Sequence, residues 1–175
     1  MIKFGVVPEL VDSVPPKEIK VSYPQGLEVL MGNVLTPMQV IPIPSVNYEA
    51  EEGSLYTLLM TDPDAPSKQN KMWGEARHWL VVNIPGNDVS KGQTVIEYVG
   101  SGPPKDTGLH RYIFFVFKQK ETIKTDVFID KDNLEDRLRT KTRDLIKEYN
   151  LEEPVAGNFF EAEHDVEYAK LMSKK

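Results

Sequence analysis

Tyr56-Thr-Leu-Leu-Met-Thr-Asp-Pro-Asp-Ala-Pro66 is an apolar run that stops at two carboxylates set between prolines. Alternation puts Tyr56, Leu58, Met60 and Asp62 on one face and Thr57, Leu59 and Thr61 on the other, the pattern of a strand. Proline fixes φ and has no N–H for a ladder, so the strand ends at Pro63 and leaves Asp62 and Asp64 at the rim of a sheet. Two acids on a stiffened strand end suit a site; an ordinary Asx/Pro turn accounts for the same residues.

Working outward, two further runs share the character of this one. His78–Ile84 and Tyr112–Phe117 are apolar on both faces, as strands covered on both sides are. Strands are expected over 75–84, near 95–99 and over 109–118, with a polar loop from Ser67 to Gly74. Upstream, Ile19, Val21 and Tyr23 alternate, Pro24-Gln-Gly26 signals a turn, and 27–31 can pair back. Pro37, Pro42 and Pro44 reduce 36–48 to edge or bulged pieces. Downstream, Leu134, Leu138, Leu145 and Tyr149 recur at helical spacing behind Asp132 as cap, until Pro154. A last helix is expected after Gly157, with Phe159, Ala162, Val166, Ala169 and Met172 as its stripe. Strands first and helices last predict a mostly β fold, an antiparallel β-sandwich of a large and a small sheet with C-terminal helices covering one face.

The 175 residues, 40% of them apolar, suffice for one domain over 1–175, with 1–16 a weakly patterned arm. The chain has no cysteine, which excludes a disulfide framework and a thiolate metal site. Glu9 and Asp12 interrupt the early apolar residues, and no run reaches the ~20 residues of a membrane span. A cytoplasmic monomer is therefore expected. A net charge of −6 argues against a nucleic-acid groove or a polybasic membrane surface. Any phosphate must be held locally.

Chemically capable residues gather at strand ends. His78 falls at the start of one strand, and His110 and Tyr112 share a face at the start of another. Gly100 and Gly102 let successive N–H groups turn inward without a Cβ, and Pro103-Pro104 stiffen the exit, as in an anion nest. Each alone also reads as a structural histidine or a plain loop.

Asp62-Pro-Asp-Ala-Pro66, His78-Trp-Leu-Val-Val-Asn83 and Gly100-Ser-Gly-Pro-Pro104 with Gly108-Leu-His-Arg-Tyr112 together resemble the three signatures of the phosphatidylethanolamine-binding protein family, whose animal members include the Raf kinase inhibitor protein. The likeness runs from Lys17 to the C-terminus. It implies a shallow pocket for phosphate-like groups such as the phosphoethanolamine head of phosphatidylethanolamine. The positions it assigns are Asp62, His78, Gly100, Gly102, Pro103, His110 and Tyr112, with Ala65 and Val99 beside them and Trp73 as a wall. It also implies a cis Ala65–Pro66 bond, and it puts Pro66 at a position tied to kinase binding. The implied function is non-enzymatic: a signalling modulator that binds a protein kinase or inhibits a serine protease, with no cofactor. Asp144 stands where kinase-inhibitory members carry a regulatory serine, Ala76 where relatives have an aromatic, and Met172 where an aromatic lid is usual. Phosphate would accept from the loop amides, the Tyr112 hydroxyl and the histidines, for a net of about −4 to −6 kcal/mol, or millimolar to tens of micromolar. Asp62 would orient a histidine or meet an ammonium instead of facing the phosphate. Two other classes fit the same residues: a metal-dependent hydrolase using Asp62, Asp64, His78 and His110, and a protein-interaction module presenting the Ser67–Trp73 loop.

Overall fold

The computed structural model describes all residues from Met1 to Lys175. The opening stretch forms β6 (Leu55–Asp62) and lies inside a seven-stranded sheet. That sheet runs β1 (Lys17–Glu18), β10 (Ala156–Ala162), β9 (His110–Lys118), β6, β7 (Ala76–Pro85) and β8 (Gln93–Ile96), with β4 (Asn33–Val34) also on β10. The smaller sheet is β3 (Leu27–Glu28), β2 (Lys20–Tyr23) and β5 (Ser45–Asn47). The helices are α1 (Val6–Glu9), α2 (Thr142–Glu148) and α3 (Val166–Ser173).

The alternation read from the sequence has the expected consequence in packing. Tyr56, Leu58 and Met60 join Val21, Tyr23, Tyr112, Phe114 and Phe160 in the core between the two sheets. Leu59 faces the other way, with Phe115, Phe117 and Phe159. That second face is covered by the N-terminal arm through Val6, Val7, Leu10 and Val11, together with Ile123, Leu145 and Leu151. The cover therefore comes from both ends of the chain, where the C-terminal quarter alone was expected.

Three expectations need correction. The large sheet is mixed, because β1 and β4 run parallel to β10 while its other pairings are antiparallel. Residues 156–162 form a strand, and the last helix starts only at Val166, capped by the Asp165 carboxylate on Glu167 and Tyr168 N–H. The i, i+3/i+4 spacing of Phe159 and Ala162 coincides with a strand buried on both faces, Phe160 in one core and Phe159 in the other. Asp132 caps no helix: Glu135–Arg137 is a short 3₁₀ turn, Leu138 is extended, Arg139 has φ +57°, and α2 begins at Thr142. Its first N–H groups are met by Glu75, whose carboxylate accepts from Thr142 N at 3.0 Å.

Asn158 joins β10 to the chain beside it. Its Nδ2 donates to the carbonyls of Ile19 (2.8 Å) and Val29 (2.9 Å), and its Oδ1 accepts from Met31 N (2.9 Å) and Phe159 N (2.8 Å). Buried polar groups that lose their partners cost about 1–3 kcal/mol each. Asn158→Ala should therefore lower unfolding free energy by about 3 kcal/mol in urea melts; a loss within error of zero would remove this role.

Asp64 anchors the arm. Arg111 forks onto it with Nε to Oδ2 (3.0 Å) and Nη2 to Oδ1 (2.8 Å), and adds its own backbone N–H (2.9 Å). The same guanidinium donates to Phe4 O and Glu9 Oε2, both at 2.9 Å. Burial by itself would raise the Asp64 pKa, but the Arg111 bonds and charge, with Lys71 adding its own, hold it below its ordinary 3.8. A depressed folded-state value stabilises above pH 3.8, and that stabilisation is lost as pH falls through the depressed value. Asp64→Asn should cost about 3–5 kcal/mol at pH 7, and the deficit should shrink in the acid limb of a pH–stability curve. A deficit independent of pH would contradict the charge pair as its source.

Candidate functional site

Asp62 and Asp64, adjacent but for one proline, part company. Asp64 turns into the Arg111 network, whereas Asp62 stays on the inner face of β6. Asp62 Oδ1 accepts from Asp64 N (2.7 Å) and Oδ2 from His110 Nδ1 (2.8 Å). His110 Nε2 lies 2.9 Å from Thr107 Oγ1, and that hydroxyl donates to Pro104 O at 2.7 Å. Both ring nitrogens of His110 thus have protein oxygens as neighbours. It reaches the site with its ring, not with a free nitrogen.

Tyr112 lies at the centre of the aromatic packing. Its ring stacks on Phe160 (5.2 Å, 18°) and on His110 (6.3 Å, 12°), and His78 meets its edge at 5.2 Å and 89°. Burial, then the Asp62 carboxylate beside it, raises the phenol well above its ordinary value, so the hydroxyl keeps its proton. His78 owes its place to a bulge. Met60 pairs with Trp79 and Thr61 with Arg77, leaving His78 as the extra residue of β7, and such a residue re-aims its side chain. Its Nδ1 is 2.8 Å from the Val99 carbonyl and must carry the proton there. Burial lowers its pKa from 6.5 and the nearby Arg137 charge adds to that, against the raising effects of Asp62 and the Val99 and Gly100 carbonyls.

These groups open onto one hollow of about 520 Å³. The positions assigned by the family resemblance line it: Asp62, Ala65, Pro66, Trp73, His78, Val99, Gly100, Gly102, Pro103, His110 and Tyr112; Asp64 does not. Ala76 and Met172 are there too, and Ala65–Pro66 is cis. Gly100 and Gly102 have a different reason from the one expected. Neither has positive φ, so no left-handed nest forms at these two residues. Instead a Cβ on Gly100 would lie 2.4 Å from Val40 O, and one on Gly102 3.0 Å from the Tyr168 ring. The backbone contact excludes a side chain at Gly100, whereas one at Gly102 would need the Tyr168 ring to give way.

Sequence reasoning missed Arg77, Lys131, Asp132, Leu134, Arg137, Leu138 and Tyr168, all of which line the hollow. Tyr168 lies one helical turn before Met172, a spacing that could have revealed it. Arg137 was hidden by the helix expected across it. Its buried guanidinium donates from Nε to Asn133 O (3.0 Å), from Nη2 to Asp130 O (2.8 Å) and from Nη1 towards His78 O (3.3 Å), with no carboxylate in ion-pair contact. Carbonyls hold it by hydrogen bonds; burial lowers its pKa, and the charges of Glu97 and Asp130 act against that.

The quartet Asp62, Asp64, His78 and His110 does not assemble, because Asp64 is committed to Arg111 on the other side of the strand end. No group of three or more histidine and acidic side chains is placed to hold a metal ion. Ser101, between the two glycines, is buried with its hydroxyl unpaired and does not line the hollow.

Residues 28–160 match the family model described as phosphatidylethanolamine-binding protein. The solution structure of CG7054 is 45% identical, covers 93% of each chain and superposes with a TM-score of 0.76. Carboxypeptidase Y inhibitor, in a crystal structure with its cognate proteinase, is 32% identical over 86% of this chain and 85% of its own, with a TM-score of 0.74. The 26 kDa secreted antigen of Toxocara canis is 37% identical over 93% of this chain, which spans 62% of that protein's length. Its name sets a secreted relative beside the expectation of a cytoplasmic protein; no helix here is long and apolar enough to cross a membrane. With the family model matched from β3 through most of β10, the chain belongs to the phosphatidylethanolamine-binding protein family.

Proposed function

We propose that this chain is a non-enzymatic binding protein whose hollow accepts a phosphate-like anion, the phosphoethanolamine headgroup being one ligand of that class. The observation that carries the reading is the convergence of three separated segments on one opening. They bring His78, the Asp62–His110 pair, Tyr112 and the Gly100–Pro104 loop together, with Arg77, Lys131 and Arg137 around them. Of the cations around the hollow, Arg137 acts on the His78 ring, whereas the Arg77 guanidinium is turned to the Lys141 carbonyl. Asp62 is occupied by His110 and by the Asp64 amide, so it organises the floor and leaves an anion to the other groups.

The protease inhibitor among the related structures supports protein binding as a second use of this chain. The Trp73 rim, 38% exposed beside the 61%-exposed Met72, is an apolar edge at which a protease or kinase could be engaged together with Pro66. Asp144 is exposed in the first turn of α2, where a carboxylate suits the helix dipole and offers no hydroxyl to phosphorylate.

Titration with phosphoethanolamine, followed by amide and side-chain NMR shifts, should move Gly102, His78 and Tyr112 with a dissociation constant of roughly tens of micromolar to millimolar. Shifts confined to surface lysines, with these three unmoved, would reject the anion reading. If a protein partner shares the rim, phosphoethanolamine should weaken its binding.

A further inference from the structure

The hydrogen-bonding groups around the hollow leave one atom with a special position. His110 has both nitrogens beside protein oxygens, Asp62 has both oxygens in hydrogen bonds, and Gly102 N–H and Asp62 flank the Tyr112 hydroxyl. His78 differs. Its Nδ1 is held by the Val99 carbonyl, which fixes the Nδ1–H tautomer in the neutral ring, while Nε2 has no protein partner and is not sealed from solvent. In that state Nε2 is a lone-pair acceptor facing the space an anion would fill. An oxygen that is also only an acceptor cannot bond to it.

Phosphate esters divide on this point. A phosphodiester, such as the linkage inside a phospholipid, carries one charge and no proton near neutrality. A phosphomonoester has a second pKa of about 6, so it can bring a P–OH or take the proton from solvent into a shared bond. The surroundings oppose charging the ring unaided. Arg137, from the 3₁₀ turn, donates towards the His78 carbonyl and acts on its ring, while Glu97 and Asp130 partly offset that charge; Lys131 also lines the hollow, and the Arg77 guanidinium is turned to the Lys141 carbonyl. Opposing them are Asp62 from β6, already bonded to His110, and Asp132 at the opening; the phenols Tyr112 from β9 and Tyr168 from α3 are neutral. Burial and the Arg137 charge act in the same direction on His78.

We propose that the hollow is a phosphomonoester site, in which one proton is shared between a phosphate oxygen and His78 Nε2, and that it discriminates against phosphodiesters at neutral pH. This rests on the anion reading above and narrows its ligand class. Free or protein-borne monoesters are then preferred over an intact lipid headgroup.

Calorimetry at pH 7.5 with phosphoethanolamine and with glycerophosphoethanolamine separates the two sources. The monoester should bind about tenfold more tightly, the cost of facing an acceptor with an acceptor, and should take up a proton in buffers of different ionisation enthalpy. The ratio should narrow as pH falls through the lowered His78 pKa, below which the ring charges without the ligand's proton. In His78→Gln, whose amide can donate, the ratio should be close to one at every pH. Should that variant not fold, a long-range ¹H–¹⁵N spectrum of wild-type His78 reads the tautomer directly, with Nδ1–H expected in the free protein. Equal affinities at pH 7.5 without proton uptake, or an Nε2–H tautomer, would overturn this inference and leave anion binding standing. If neither ester bound, the anion reading itself would fall.

Discussion

The end of β6 is the constraint on which the site depends. Pro63 cannot extend the ladder, so the chain turns there and the acids on either side of it go to different places. Asp62, still in phase with Tyr56, Leu58 and Met60, stays on the inner face and takes the Nδ1–H of His110. Asp64 goes to the outer side and takes the fork of Arg111. Because His110 and Arg111 are neighbours at the start of β9, two adjacent residues of one strand are matched by two acids of another across a single proline. That match ties the floor of the hollow to the arm that covers the opposite face of the sheet.

The central strands were legible because both their faces are buried. Where a strand lies under cover on each side the run is apolar throughout, and its length, with β-branched and aromatic residues between turn signals, marks it, as in Tyr112–Phe117. The same property misleads when the run is short. Phe159 and Ala162 fit a helical stripe as well as a strand, and the polar Asn158 between apolar neighbours reads as a helix's outer face until its four hydrogen bonds are seen. Long-range pairing with β9 decides the matter, and a local pattern carries no trace of it. Arg137 was lost for the same reason. Its bonds to the carbonyls of Asp130, Asn133 and His78 end a helix that the leucine spacing would have continued.

The site residues were legible through their motifs, but the geometry that gives each one its part was not. Strict alternation from Trp79 would send the His78 side chain away from the inter-sheet core; only the bulge opposite Met60–Thr61 brings it to Tyr112. The glycines were expected to leave room for inward N–H groups by lacking a Cβ; the room is needed for close approach to Val40 and Tyr168. Tyr168 from α3 closes over Gly102, and Trp73 also lines the hollow.

Two histidines at one opening invite the assumption that both play the same part, yet their second-neighbour bonds make them opposites. A carboxylate on His110 Nδ1 and a threonine oxygen on Nε2 leave that ring nothing to offer a ligand but its face. A backbone carbonyl on His78 Nδ1 supplies no charge and leaves Nε2 open. The ring with the counter-ion is thereby structural, and the ring without one is free to respond to what enters. Arg137 sharpens the difference, because a guanidinium held by carbonyls attracts an anion while resisting a second cation beside it. Under the proposal made above, Arg137 supplies a charge that stays fixed, and the proton that can move is the one between His78 and the ligand.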